Sequence, residues 1–191
     1  LLSWRYEGRF AHLALQDMFT EKVLWKHELS SGSRLWPISQ EEVGVMDRKG
    51  DFKVIAVADG TVTLEAAVQP EPQLSEAYVF RAGDNYLLIT NSPYKQREGV
   101  NIQPVQGGYN NPLINGTLYG FDGKTKKQLF KTRIDGHGLT LYQPEAVPML
   151  VFASQVYETP RNGQIRSPQG VLLCIDKRSG RTLYDKRQPA P

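Results

Sequence analysis

Three stretches of the chain repeat one pattern of residue classes at fixed offsets. In each stretch, a leucine is followed by an aspartate, a threonine or serine, a lysine or arginine, and finally a leucine–aromatic pair. The stretches run from Leu13 to Trp25, from Leu118 to Phe130 and from Leu172 to Tyr184. A repeat of this kind constrains the architecture more than local propensity does, because every copy must fold into the same unit. The chain is therefore predicted to be a row of similar units.

Each copy of the pattern predicts two extended runs joined by a tight turn. Asp17, Asp122 and Asp176 stand where the first run ends, and a turn aspartate can accept a hydrogen bond from the backbone two residues on. The leucine–aromatic pair begins the second run, where consecutive side chains point to opposite faces of the sheet. We therefore expect neighbours to cover both faces of this second strand.

The spacing of the aspartates indicates one further unit. Asp122 follows Asp17 by 105 positions, whereas Asp176 follows Asp122 by 54. The longer interval holds three extended runs, the last two joined by Asp59-Gly60, and Asp-Gly between such runs is a strong hairpin signal. These runs are Val43–Asp47, Phe52–Ala58 and Thr61–Ala67.

Four units of roughly 40–60 residues, each able to form a four-stranded meander, are typical of β-propeller blades. The predicted fold class is all-β, a partial β-propeller of about four blades, each a four-stranded antiparallel meander. The first blade lacks its innermost strand, and the innermost strand of the fourth is expected near Leu139–Tyr142. No stretch has helical periodicity with caps. The predicted blades cover residues 1–28, 29–68, 69–134 and 135–191.

Charge and cysteine content narrow the possible partners. The formal net charge is +3, and the lysine and arginine clusters follow the turns at Asp122 and Asp176, where a solvated turn explains them. Neither a recognition helix nor an aromatic stacking platform accompanies them, so a nucleic-acid partner is not expected. No apolar run approaches the ~20 residues of a membrane-spanning helix. The single cysteine, Cys174, excludes an internal disulfide and is expected to be a buried strand residue.

No catalytic constellation is visible in the chain. Nucleotide-binding glycine loops, the nucleophile-elbow motif and the zinc-protease motif are all missing from the sequence. His12 and His27 lie on extended runs and are expected to be structural or solvated, whereas His137 stands in a loop-like context and is a candidate ligand contact. The adjacent Glu41 and Glu42 would point apart in a strand. No residue cluster has the spacing of a zinc or calcium site, so no metal is predicted.

The segment Gly116–Phe130, which reads GTLYGFDGKTKKQLF, resembles the repeat of quinoprotein-like (PQQ-like) propellers, roughly Gly-x-Leu-Tyr-Ala-Leu-Asp-x-x-Thr-Gly-Lys-x-Leu-Trp. Gly170–Tyr184 matches the same repeat, and the resemblance covers most of the chain in register, most weakly in the second unit. The chain is similar to a C-terminal portion of large bacterial propeller proteins of this type. The resemblance implies that Trp25, Phe130 and Tyr184 pack between adjacent blades. It also implies further blades and favours a periplasmic or other extracytoplasmic location.

The resemblance does not imply a cofactor for this chain. Quinone-dependent dehydrogenases of the related family use a vicinal cysteine pair, a calcium site and a catalytic aspartate, and Cys174 is a lone cysteine. No cofactor is therefore predicted. A fragment of a quinone-dependent oxidoreductase remains the alternative, because blades outside this sequence could carry those groups.

The connections between the second and third strands carry the functional prediction. This connection is four residues long in the second blade but spans residues 92–115 in the third and 158–169 in the fourth, and long loops are usually functional or disordered. Both are expected on the same face as Asp135–Gly138. We predict a non-catalytic scaffold that binds a protein or glycan there. The alternative is that these loops cover exposed blade edges or are simply mobile. The candidate contacts are Tyr94, Arg97, Tyr109, Asn110, His137, Arg161 and Arg166.

Overall fold

The computed structural model describes residues 1–96, 98–106, 110–158 and 168–189, with the last three by backbone alone. These residues form fifteen β-strands and no helix. The strands are β1 (Leu2–Glu7), β2 (Phe10–Gln16), β3 (Val23–Ser30), β4 (Arg34–Pro37), β5 (Glu42–Met46), β6 (Asp51–Ala56), β7 (Val62–Ala67), β8 (Glu76–Ala82), β9 (Asn85–Asn91), β10 (Val100–Pro104), β11 (Leu113–Asp122), β12 (Gln128–Gly138), β13 (Met149–Glu158), β14 (Gln169–Asp176) and β15 (Thr182–Pro189).

The strands form four antiparallel sheets. The first has three strands in the order β1-β2-β3, and the second has the order β4-β5-β6-β7. The third has the order β8-β9-β11-β12, and the fourth has the order β10-β13-β14-β15. The all-β class and the partial β-propeller of four blades are confirmed.

Three hydrophobic cores join the sheets into a row. Leu13 of the first sheet packs with Val43 and Ile55 of the second. A larger core lies between the second and third sheets, where the rings of Phe52 and Phe121 have centroids 5.4 Å apart. A third core joins the third and fourth sheets. Each sheet thus buries apolar side chains against its neighbour, which is the main stabilising term of such a stack.

A β-bulge at the start of the outermost strand recurs in all four sheets. Because of it, the prediction that the leucine of each repeat is covered by a neighbour is wrong. The strand register skips Leu24, Leu129 and Leu183, and it skips Thr63 at the same place in the second sheet. An extra residue in a bulge lies outside the ladder. The three leucines are accordingly about half exposed (54%, 47% and 55%) rather than covered by a neighbouring sheet.

The aspartate turns form as predicted. Asp17 Oδ1 accepts hydrogen bonds from the backbone N–H groups of Phe19 and Thr20, at 2.8 and 2.9 Å. Asp122 and Asp176 bind the corresponding N–H groups of their own turns at 2.7 to 3.0 Å. Hydrogen bonds to the charged form favour ionisation. The bond from the Thr125 backbone is the largest cause that lowers the pKa of Asp122 below its ordinary value of 3.8.

These turns predict a loss of stability in acid. A carboxylate whose pKa is lowered in the folded state stabilises the fold above its ordinary pKa, and this contribution disappears as the pH falls through the folded-state value. Asp122→Asn keeps an acceptor oxygen but does not titrate. We expect the wild type to lose more free energy of unfolding than the variant as the pH falls below about 4. Urea unfolding at pH 7 and in steps down to pH 2 measures both; identical pH profiles would contradict the prediction.

Trp25 and Phe130 pack on the turn of the following sheet. Trp25 Nε1 donates to the Val57 carbonyl oxygen at 2.9 Å, and its ring lies on Gly60. The Phe130 ring lies on Gly180 in the same way. Both glycines have left-handed backbones, with φ of 75° and 68°. Tyr184 occupies the equivalent position in the fourth sheet, where Lys186 Nζ lies 5.7 Å from the centre of its ring.

The innermost strand of the fourth sheet differs from the prediction. β10 pairs with one half of β13, from Val100 opposite Glu158 to Pro104 opposite Ser154. The predicted segment Leu139–Tyr142 supplies only the continuation, where Leu139 bridges Phe152. The segment 92–115 is therefore not one long loop, because its centre completes the neighbouring sheet. Residues 159–167 of the other predicted loop lie outside the described residues.

The side chain of Asn111 joins the two segments of this composite strand. Its Nδ2 donates to the Val105 carbonyl oxygen at 2.7 Å, and its Oδ1 accepts from the Leu141 N–H at 3.1 Å. Asn111 is 9% exposed. A single buried amide thus satisfies one backbone group on each segment, as buried polar groups must be satisfied. The division into units at 28/29, 68/69 and 134/135 stays a prediction, and β10 crosses the last of these boundaries by its pairing.

Candidate functional site

The two ends of the sheets differ in their connections. One end carries the aspartate turns, and we call it the turn face. The other end, which we call the loop face, carries the connections that follow β9, β12 and β13. A groove of about 380 Å³ opens there between the third and fourth sheets, and we call it the loop-face groove. Its lining residues are Tyr94, Val100, Ile102, Asp135, Gly136, His137, Val156, Glu158, Val171 and Asp185.

The loop-face groove has an aliphatic floor and a polar rim. The floor comes from paired strands, with Val100 and Ile102 on β10 next to Val156 on β13. The rim carries the aromatic ring of Tyr94, the imidazole of His137 and carboxylates. Because β10 is hydrogen-bonded along its length to β13, the floor is a rigid surface. Rigid elements position binding groups better than free loops do.

Tyr94 and His137, two of the predicted contacts, are brought together in this groove. Gly136 has a left-handed backbone with φ of 66°, and a Cβ added there would lie 3.0 Å from the Tyr94 ring. The ring therefore rests on the glycine that separates Asp135 from His137. His137 Nδ1 lies 2.9 Å from the Asp135 carbonyl oxygen, which orients the imidazole.

The other predicted contacts divide into two groups. Asn110 is exposed and does not line the groove. Arg97, Tyr109, Arg161 and Arg166 lie outside the described residues.

The other two histidines and the cysteine lie among groups of the protein and do not line the loop-face groove. His12 is buried, with Nε2 3.2 Å from Glu7, and His27 Nε2 lies 2.6 Å from the Gly60 carbonyl oxygen. Cys174 is buried, and burial raises the pKa of its thiol. Across the part of the chain that the structure describes, no group of three or more histidine, cysteine, aspartate or glutamate side chains could hold a metal ion. The same part contains no helix long and apolar enough to cross a membrane.

Glu42 has a structural role that the sequence did not indicate. It is 8% exposed and accepts hydrogen bonds from Arg81 Nη1 and from the Tyr86 hydroxyl, both at 2.6 Å. Burial, followed by the hydrogen bond to Glu42, raises the pKa of the Tyr86 hydroxyl. This ion pair, in which Glu42 is buried and Arg81 is exposed, links the second and third sheets. Loss of the Arg81 guanidinium would destabilise the fold, because it would leave the buried Glu42 carboxylate without its cation.

A cleft of about 270 Å³ on the turn face is lined by Trp36, Phe80, Arg81 and Lys177, among others. Its cations already have partners within the protein. Arg81 binds Glu42, and Lys177 Nζ donates to the carbonyl oxygens of Pro144 and Glu145, each at 3.2 Å. Lys177 is 4% exposed, and this burial lowers its pKa. We attribute these two side chains to the packing of the fold.

A polar groove between the second and third sheets was missed by the sequence analysis. Its volume is about 290 Å³, and we call it the inter-sheet groove. No motif marks it, because its residues come from two separate parts of the chain that only the packing of the sheets brings together. A partial signal is the alternation of Thr117, Tyr119, Lys131 and Arg133 on adjacent strands. The lining residues are Gln69, Glu71, Thr117, Tyr119, Lys131 and Arg133.

No family model matches the chain, and no curated protein matches it in sequence. Among solved structures, it is similar to BamB from Moraxella catarrhalis, with 12% identity, a TM-score of 0.36, and coverage of 97% of this chain and 75% of that one. It is also similar to the WD40 domain of Toxoplasma gondii coronin, with 10% identity, a TM-score of 0.45, and coverage of 99% and 56%. A third similar structure is the β-propeller domain of Cps50 (Swd1) from Myceliophteria thermophila, with 10% identity, a TM-score of 0.34, and coverage of 100% and 86%.

Proposed function

We propose that this chain is a non-catalytic β-propeller module that binds a partner protein through the loop-face groove. The observation that supports this most is the groove itself, in which an aliphatic floor is surrounded by aromatic and charged side chains. Protein interfaces have this anatomy, with an apolar centre inside a polar rim. Tyr94 is the anchor we expect, because tyrosine is enriched among the residues that dominate binding energy.

The chemistry of the rim indicates the charge of the partner segment. Asp135 and Asp185 are exposed carboxylates that line the groove. The aliphatic stems of lysine and arginine can lie along apolar surface while their charged heads contact carboxylates. We therefore expect the bound segment to present lysine or arginine side chains. The oxidoreductase alternative is supported by no specific observation, because a vicinal cysteine pair cannot come from the single Cys174.

The experiment is site-specific photo-cross-linking on the full chain. A photoreactive phenylalanine analogue replaces Tyr94 in one variant and Tyr142, a 70% exposed tyrosine outside the loop-face groove, in the control. We expect one discrete protein adduct at position 94 in extracts of the source cells, and none at position 142. Mass spectrometry identifies the adduct, and the purified partner is then titrated against the protein.

Gly136→Ala tests the groove with the identified partner. The new Cβ would lie 3.0 Å from the Tyr94 ring, on a backbone with φ of 66°, so the ring must move. We expect binding to weaken about tenfold, corresponding to the loss of one anchoring contact. Gly83→Ala is the control, because its φ of 61° imposes the same backbone strain while no atom lies within 4 Å of the new Cβ. Equal adducts at both positions, a glycan as the bound species, or unchanged affinity of Gly136→Ala would each contradict the proposal.

A further inference from the structure

Every side chain that lines the inter-sheet groove carries a polar group. All six lining side chains can form hydrogen bonds, and they comprise an amide, a carboxylate, two hydroxyls, an ammonium and a guanidinium. Two cations stand against one anion, so the groove carries a net positive charge. A surface that binds protein normally has an apolar centre, and none of the described residues that line this groove is a wholly apolar side chain. Its composition suits a small, hydroxyl-rich ligand that carries negative charge.

Tyr119 belongs both to the hydrophobic core and to the lining of the inter-sheet groove. It is 2% exposed and belongs to the core between the second and third sheets, where its ring stacks near Phe121 with centroids 6.4 Å apart. Among the described residues, its hydroxyl is not one of the fully buried side-chain atoms that lack a hydrogen-bond partner, so its relevance rests on its position in the groove. A tyrosine hydroxyl can both donate and accept a hydrogen bond, so at the base of a groove it can bind a ligand oxygen.

The groove is held open by backbone pairing on both sides. Thr117 lies opposite Arg133, and Tyr119 lies opposite Lys131, in the ladder of β11 and β12. Arg133 Nη2 also donates to Asn115 Oδ1 at 2.6 Å, which favours one orientation of the guanidinium. On the other wall, the Glu71 N–H donates to the Arg48 carbonyl oxygen at 2.9 Å. The polar groups are therefore preorganised, which lowers the entropic cost of binding.

We propose that the inter-sheet groove is a binding site for an acidic saccharide, a sugar that carries a carboxylate. Arg133 and Lys131 bind the carboxylate, since guanidinium and ammonium groups form the strongest hydrogen bonds to such anions. The Tyr119 hydroxyl binds a sugar oxygen. Gln69, Glu71 and Thr117 bind the remaining sugar hydroxyls, for which Glu71 is an acceptor. This site is independent of the loop-face groove, and neither proposal requires the other.

Isothermal titration with three probes tests the ligand class. The probes are a trigalacturonate, a neutral trisaccharide of the same length, and a triglutamate peptide that carries carboxylates without sugar hydroxyls. We expect the trigalacturonate to bind and the other two to bind at least about tenfold more weakly, because each lacks one set of the required contacts. Absence of trigalacturonate binding, or equal binding of the triglutamate, would overturn the assignment.

Variants locate the binding in this groove. Lys131→Gln should weaken trigalacturonate binding about tenfold, whereas Lys26→Gln should leave it unchanged. Lys26 is the matched control, because each lysine follows the aromatic residue of its own repeat and is exposed. Tyr119→Phe keeps the ring in the core and removes only the hydroxyl, so about fivefold weaker binding is expected. Unchanged binding by both Lys131→Gln and Tyr119→Phe would show that the saccharide binds elsewhere and would refute the site.

Discussion

Gly116→Ala is expected to lower the free energy of unfolding by about 3 kcal/mol or more. A Cβ on Gly116 would lie 1.8 Å from the Thr90 carbonyl oxygen and 2.5 Å from its carbonyl carbon. These are backbone atoms of a buried strand, so no side-chain rotation can relieve the overlap. Thr90 Oγ1 also accepts a hydrogen bond from the Thr117 N–H at 2.9 Å, which ties β9 to β11 at this point. Separation of the strands would break that contact too.

Gly32→Ala is the matched control for this substitution. There the nearest atoms belong to the flexible side chain of Arg48, at 3.3 to 3.5 Å, and the backbone does not require glycine. We expect a change within about 0.5 kcal/mol, as for most surface substitutions. Urea unfolding followed by intrinsic fluorescence measures both variants. Equal stability of the Gly116 and Gly32 variants would show that β9 and β11 do not approach as closely as the structure indicates.

Gly180→Ala is expected to destabilise the protein by about 3 kcal/mol through two effects that act together. Its φ of 68° is unfavourable for alanine, and the new Cβ would lie 2.2 Å from Cδ2 of Phe130. Phe130 would have to leave the turn on which it packs, and the contact between the third and fourth sheets would open. The corresponding contact of Trp25 with Gly60 makes Gly60→Ala a second instance of the same prediction.

A double-mutant cycle separates the two effects. Phe130→Ala removes the ring, so Gly180→Ala should cost only the backbone strain in that background, about 1–2 kcal/mol. Lys126 is the control, because it occupies the equivalent turn position with φ of 61°, and the preceding sheet has Leu64 rather than an aromatic residue at the position of Phe130. Lys126→Gly should change stability by at most about 1 kcal/mol. Additive effects of Phe130→Ala and Gly180→Ala would contradict the packing described.

The repeat predicted the strands well because its signals are local. An aspartate whose carboxylate binds N–H groups two and three residues on forms its turn wherever it stands, so the turns at Asp17, Asp122 and Asp176 follow from sequence alone. The hairpin at Asp59-Gly60 follows for the same reason. The exposure of Leu24, Leu129 and Leu183 did not follow. Simple alternation assigns each leucine to a covered face, and the bulge that displaces it depends on pairing with the preceding strand.

The candidate site was only partly predictable. Tyr94 and His137 stand 43 positions apart in the sequence, and the expectation that they share a face came from the order of strands in a meander. Their contact through Gly136 required coordinates. The floor of the groove was not predicted, because β10 is short and gains its structure from pairing with β13. Val100 and Ile102 do alternate with polar residues, but the pattern covers only four residues before Pro104 and does not show which sheet the strand joins.

By itself, the sequence determined the unit, its turns and the number of sheets, because backbone hydrogen bonds and side-chain alternation act over a few neighbouring residues. The tertiary structure alone decided which segment completes the fourth sheet, which glycines receive Trp25 and Phe130, and which polar side chains meet in the two grooves. Those outcomes depend on contacts between residues far apart in the chain. Their free energy comes from burial and close packing, and a linear pattern of residues does not record which distant surfaces will meet.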